Sequence, residues 1–312
     1  MSIFEGLWIP LVTPFRQQQI DLPALQNSAR RLAQPGVSGL LIGGVTGEAA
    51  LLEDEDFARL LTAVQEVLPA EFPLMLGLAG SSTRRMAACM RRLEQCTRAP
   101  AGYLVPPPAF IKPSQEGVCA HYRHLMETTT QPLILHNIPS RSGVALEFGS
   151  IEMLATSPQI AGIKDCTGKL EQAARILRTT RLRLFCGDDH QLFDYLSIGA
   201  HGAISPAAHV RTDLFICLLQ LIREGRTAPA LLLFRQLLPV IRMLYCEAHP
   251  APLKAALSLQ GMMEDELQLP LTTMSKAGKQ YLARELQTLL QLPSAARMMS
   301  DNPPLAKAGV WH

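Results

Sequence analysis

With 312 residues, 48% of them hydrophobic and 18% charged, the chain has material for an α/β barrel with an appendage and is too apolar to be disordered. A net charge of +2 is too mild to recruit nucleic acid or an anionic membrane, and Arg84, Arg85, Arg91, Arg92 and Arg98 read as a solvated helix face. Seven dispersed cysteines without a CxxC pair argue against a disulfide framework or a zinc site and for reduced, cytoplasmic thiols.

The opening MSIFEGLWIP has no basic stretch followed by an apolar one, so no secretory signal is expected. Short apolar runs then recur at residues 7–12, 39–43, 74–78, 102–105, 133–137, 160–164, 182–187 and 202–205. Each has the length of a buried parallel strand. Amphipathic segments between them, such as 53–67, 83–95 and 115–128, read as helices. Strand–helix alternation predicts a parallel sheet with right-handed crossovers, and about eight units predict a closed (β/α)₈ TIM barrel. A doubly wound sheet is the alternative, weakened because no GxGxxG follows any strand.

From about Thr212 to Leu292 the pattern is helical throughout, with apolar stripes in LLLFRQLLPVIRMLY and YLARELQTLLQL. Arg235 and Arg242 interrupt the most apolar stretch, and no segment reaches the roughly 20 apolar residues of a membrane span. The expected division is a barrel over 1–225, a small C-terminal helical appendage over 226–292, and a loosely ordered, proline-rich tail over 293–312.

Barrel enzymes collect their chemistry at the C-terminal strand ends. Those ends carry Thr13, the loop Gly43-Gly44-Val45-Thr46-Gly47-Glu48, His136-Asn137, Lys164-Asp165, Gly187-Asp188-Asp189 and Ile204-Ser205, which predicts that these groups converge at one rim. Lys164 is either a desolvated nucleophilic amine in the mouth or a surface lysine just past a strand. The glycine loop reads as a small-anion cradle with the Thr46 hydroxyl beside a helix N-terminus, or as a plain turn with Thr46 as N-cap. Glu48 is expected to orient that loop or cap the helix. Arg141 could pair a carboxylate bidentately or lie in a surface loop. His136 could shuttle protons or sit hydrogen-bonded in the core. Asp188 and Asp189 lack a His or Glu partner at ligand spacing and read as turn and capping residues; no metal or cofactor is implied.

In order, GGVTGEA, KPSQEGV, HNIPSRSG, GIKDCTG, CGDD, GAHGAIS and EAHPAPLKAAL resemble segments of the dihydrodipicolinate synthase/N-acetylneuraminate lyase family of pyruvate-dependent aldolases, from Gly6 to about Leu292. The corresponding family segments include GTTGES, YNVPSRTG, GIKEATG, SGDD, GGHGVIS and EPNPIPVKWAL. The resemblance implies that Lys164 forms an imine with pyruvate, which becomes an enamine and adds to an aldehyde. It implies that Thr46 and nearby amides, with Val45 beside them, hold the pyruvate carboxylate. Arg141 would receive the carboxylate of aspartate semialdehyde, Ile204 would offer its carbonyl near the lysine, and Gly187 would lie at the same mouth. Members acting on sugar acids usually lack the Pro-Ser-Arg triplet, so Arg141 points toward the synthases. A homodimer or homotetramer is the usual assembly.

The synthases relay protons through a threonine and two tyrosines, one from a neighbouring subunit; the matching positions here are Val45, Phe110 and His136. All three hydroxyls are missing, and such a transfer is worth roughly 10²–10⁴-fold in rate. The positions of the lysine-feedback site also differ, with Ala49, Asp54, Phe57 and Ala109. Three readings follow: a synthase in which His136 has taken over acid–base work, a pyruvate aldolase for another aldehyde such as a sugar acid, and a paralogue that binds an oxo acid with little turnover.

Overall fold

The computed structural model describes residues 3–95 and 98–300. Eight parallel strands close into a barrel in sequence order: β1 (Gly6–Pro10), β2 (Val37–Gly43), β3 (Leu74–Gly77), β4 (Gly102–Val105), β5 (Leu133–Asn137), β6 (Ile160–Asp165), β7 (Arg183–Cys186) and β8 (Gly202–Ile204). β1 pairs with both β8 and β2, so the sheet has no open edge. The strands fall within two residues of the apolar runs legible in the sequence.

Alternation along each strand divides the core in two. Trp8, Leu41, Met75, Leu104, Ile134, Phe185 and Ile204 point inward and fill the barrel. Leu7, Ile9, Leu40, Ile42, Leu76, Val105, Leu135, Ile163 and Leu184 point outward beneath the helices. Gly39 makes room for the largest inward side chain, since a Cβ there would lie 2.6 Å from Cη2 of Trp8.

A helix follows each strand, from Leu22–Leu32 after β1 to Thr212–Arg223 after β8. The helix at Asp54–Gln65 opens with a capping box between Glu53 and Asp56, and the one at Gln115–Met126 with Ser114 accepting from the Gly117 amide. The helices at Thr227–Leu244, Ala251–Leu259 and Lys276–Leu290 form the appendage. The first is, among the described residues, the one helix long and apolar enough to cross a membrane; its Leu233, Phe234, Leu237, Val240, Ile241 and Leu244 are buried in the protein core.

Two expectations are corrected. Residues 262–275 are not helical, because Pro270 cannot donate to a helix ladder and the backbone there is bound elsewhere. Lys254 donates to the Glu266 carbonyl, and the Gln268 amide donates to Glu48. Within the expected tail, Ala295–Ser300 forms a helix, anchored where Arg211 donates to the Pro293 carbonyl and the Ala295 amide donates to Asp213. Residues 301–312 of that tail lie outside the described residues.

Candidate active site

Strand alternation decides which strand-end residues face the mouth. Ile134 points into the barrel, so His136 two residues on does too, in register with Lys164, which is in turn in register with Phe185. Lys164 is buried, 7% exposed, and among the described residues no carboxylate stands within ion-pair distance of its amine. Gly187 gives that side chain its path, since a Cβ there would lie 2.8 Å from Cγ and 2.9 Å from Cε of Lys164 and would also meet Sγ of Cys166.

Asn137 and Asp165, expected at the same rim, face the other way. Asn137 Nδ2 donates to Asp165 Oδ1 at 3.0 Å, while Tyr195 and Thr167 donate to Oδ2 at 2.6 and 2.9 Å. Burial pushes the Asp165 carboxyl up and these bonds oppose it. The cluster clamps the ends of β5 and β6 from behind and so fixes the backbone that presents His136 and Lys164.

The loop after β2 is held in place from three sides. Gly43 and Gly44 adopt φ of 74° and 71°, and Thr13 donates to the Gly47 carbonyl at 2.7 Å. The amides of Val45 and Thr46 make no backbone hydrogen bond within the described residues, so they are available to an anion. The helix start expected beside Thr46 is absent: a three-residue turn, Ala49–Leu51, follows, and the helix begins only at Asp54. Glu48 forms a fully buried ion pair with Lys254, and its Oε2 accepts from Gln268 at 3.0 Å. Burial holds the Lys254 ammonium below its ordinary value while Glu48 opposes the shift. Glu48 therefore ties the loop to the appendage rather than capping a helix.

One cavity of 260 Å³ brings Val45, Thr46, Arg141, Lys164, Gly187 and His249 together. A second, of 420 Å³, shares Val45, Ile138, Arg141 and His249 with it, adds His136, and is otherwise lined mainly by apolar side chains such as Leu51, Leu78 and Leu271. Arg141 is exposed at their junction, with no ion pair to its guanidinium among the described residues. Ile204 lines neither cavity; its side chain belongs to the barrel core.

His136 is buried, with Nε2 3.6 Å from the Cys166 thiol. Burial first, then the Lys164 cation, hold it well below 6.5, so it is neutral at pH 7. Burial pushes the Cys166 thiol up to about 12, so it keeps its proton. Asp188 caps the turn after β7 and pairs with His190 at 3.0 Å. Asp189 is buried, accepting from the Ala207 amide at 2.9 Å and the Tyr245 hydroxyl at 2.8 Å. His249 and Lys254 are not legible as site residues without a partner in space. The available signal for His249 is the histidine of EAHPAPLK where the similar EPNPIPVK has asparagine.

Residues 3–289 match the model of the Dihydrodipicolinate synthetase family. The chain is 32% identical over 288 residues to the 4-hydroxy-tetrahydrodipicolinate synthase of Syntrophus aciditrophicus, covering 91% of this chain and 98% of that one. It is 31% identical to the enzyme of that name from Thermotoga neapolitana, covering 88% and 95%. Among solved structures, the dihydrodipicolinate synthase of Thermotoga maritima superposes with a TM-score of 0.89 at 28% identity, covering 94% of this chain and all of that one (100%). The synthase of Cyanidioschyzon merolae, solved with lysine bound, gives the same TM-score of 0.89 at 28% identity, over 94% and 100%. A barrel with a buried, unpaired lysine at its mouth thus coincides with a match along almost the whole length, and the chain belongs to the dihydrodipicolinate synthetase family.

Proposed function

We propose that the chain is a Schiff-base lyase acting on pyruvate, and that its reaction is the 4-hydroxy-tetrahydrodipicolinate synthase reaction with aspartate semialdehyde. The observation that carries this reading is Lys164: an enclosed amine with no carboxylate at ion-pair distance among the described residues, across one cavity from the Arg141 cation. The amine attacks the pyruvate ketone and water leaves, giving the imine. The Val45 and Thr46 amides hold the carboxylate. Loss of a C3 proton gives the enamine, which adds to the aldehyde while Arg141 pairs with the second carboxylate. The amino group of the semialdehyde then displaces Lys164 from the imine carbon and frees the enzyme.

Borohydride reduction in the presence of pyruvate is expected to add the reduced adduct to Lys164, read by peptide mass spectrometry, and Lys164→Ala to remove it. A coupled assay with aspartate semialdehyde is expected to show turnover that Arg141→Leu lowers through KM, with labelling intact. Absence of labelling would sink the reading. The apolar lining of the larger cavity favours a second reading, a bulkier aldehyde. Labelled protein that turns over 2-keto-3-deoxy acids but not aspartate semialdehyde selects it.

Phe110 and Ile111 stand 90% and 59% exposed beside the mouth, with Phe110 at φ 71°. A second copy covering this apolar pair would offset its exposure, and the protein is proposed to work as a homodimer or homotetramer, which sedimentation reads directly. The six described cysteines are free, in keeping with a reducing cytoplasm.

A further inference from the structure

The enamine route needs a group that removes a proton from C3 of the imine and returns one to the aldehyde oxygen. Val45 and Phe110 have no exchangeable side-chain proton. The Nε2 of His136 faces a thiol that holds its proton, so no hydroxyl links it to the substrate. A second imidazole stands at the same mouth. His249, in the turn between the Thr227–Leu244 and Ala251–Leu259 helices, lines both cavities. Its Nε2 lies 3.1 Å from Oγ1 of Thr46, and both side chains are buried.

The ring is locked in place. It stacks on Tyr245 with centroids 5.2 Å apart and planes 9° from parallel, and the Tyr245 hydroxyl is tied to buried Asp189. Nδ1 is buried with no hydrogen-bond partner among the described residues, so the Thr46 hydroxyl is the ring's one polar contact there. The relay takes the tautomer with the proton on Nδ1, in which Nε2 accepts from the Thr46 hydroxyl. The arrangement is a hydroxyl activated by an oriented imidazole.

We propose that Thr46 and His249 form the proton-moving pair of this enzyme, Thr46 exchanging the proton with the substrate and His249 Nε2 holding it between steps. The inference rests on the pyruvate imine proposed above. In the first step the C3–H bond breaks and its proton passes to Oγ1 of Thr46 as the Thr46 proton passes to Nε2. The electron pair forms the C2=C3 bond and neutralises the iminium nitrogen. In the second step the enamine pair forms the bond to the aldehyde carbon, Thr46 protonates the aldehyde oxygen, and His249 resupplies Thr46. No oxidant or metal is consumed.

The charged surroundings set when the pair works. Burial, then the Arg141 and Lys164 cations, with a smaller part from His209, hold free His249 down at about 3. Asp188 with His190, and Asp189 with Tyr245, complete the groups on the adjoining elements. Substrate carboxylates beside Thr46 and Arg141 oppose the two cations, so the imidazole gains basicity only in the loaded site. His249 acts through Thr46 and is a positioning and relay residue; Thr46 is the catalytic one.

The test uses exchange of the pyruvate methyl protons in deuterated water, followed by proton NMR, which needs no aldehyde. Wild type is expected to exchange with an acid limb in its pH profile. His249→Asn, which keeps a polar partner for Thr46, is expected to label Lys164 with borohydride yet exchange about 100-fold more slowly and without that limb. Thr46→Val should lose exchange and Thr46→Ser should recover it. If His249→Asn does not fold, the Thr46 pair decides by the same readout. Wild-type exchange in His249→Asn, or an unchanged acid limb, overturns the inference alone. Wild-type protein that pyruvate and borohydride never label overturns the proposed function, and this inference with it.

Discussion

Gly187 is the sharpest point at which to perturb the site, because its value lies in an absent atom. Its backbone imposes no special φ, so replacement by alanine is a steric experiment. The added Cβ would stand 2.8 and 2.9 Å from two carbons of Lys164, where ordinary contacts begin at 3.4 Å, so the lysine must yield by about half an ångström. At 7% exposure it has little room to swing outward, and Cys166 blocks a second direction. Overpacking of this kind costs about 1–3 kcal/mol. A misplacement approaching 1 Å at a reacting group costs on the order of 100-fold in rate. Gly187→Ala should therefore lower Tm by a few degrees and slow borohydride trapping with pyruvate by about 10- to 100-fold, with the adduct still on Lys164. Labelling at the wild-type rate with an unchanged Tm would refute the steric argument.

Lys254→Met should leave the Glu48 carboxylate buried without its cation, at a cost of about 3–5 kcal/mol, and Glu48→Gln in the same chain should recover much of it. Urea midpoints measure both; a double variant no more stable than the single one contradicts the pairing. The pH dependence follows from buried histidines: burial holds His121 at about 4, His209 and His249 at about 3, and His136 well below 6.5. The unfolded chain takes up protons that the folded chain refuses, so stability is whole above about pH 6.5 and falls as pH drops toward about 4. Asp165 and Asp189, raised by burial, act in the opposite sense and soften the acid end. At about 1.4 kcal/mol per unit and group, several kcal/mol should vanish between about pH 6.5 and 4.5. A Tm that stays level across that range would be incompatible with this account.

The barrel was legible because each strand is a short apolar run flanked by helix-period sequence, a local property. Which strand-end side chains face the mouth was not. His136 and Asn137 are adjacent and both polar, yet point to opposite faces, and the register shift between Leu133 and Ile134 is invisible in a string of apolar residues. The place of Lys164 at the mouth is legible because a motif surrounds it; that of His249 is not, because its partner Thr46 lies 203 residues away. Residues 262–275 depart from the helical expectation because their backbone bonds go to Glu48 and Lys254, partners that local sequence does not reveal.

The tie between Glu48 and Lys254 has a consequence for the order of events during synthesis. Domains form from the N-terminal end as the chain leaves the ribosome. The eight strands are complete once Ile204 has been made, so the barrel can begin to close while Lys254, Glu266 and His249 are still untranslated. Until they arrive, the loop carrying Thr46 lacks its counter-charge and its imidazole partner. A barrel closed at that point would carry the Lys164 amine but neither of the groups that complete the mouth around it, so the first eight strands alone do not make the site.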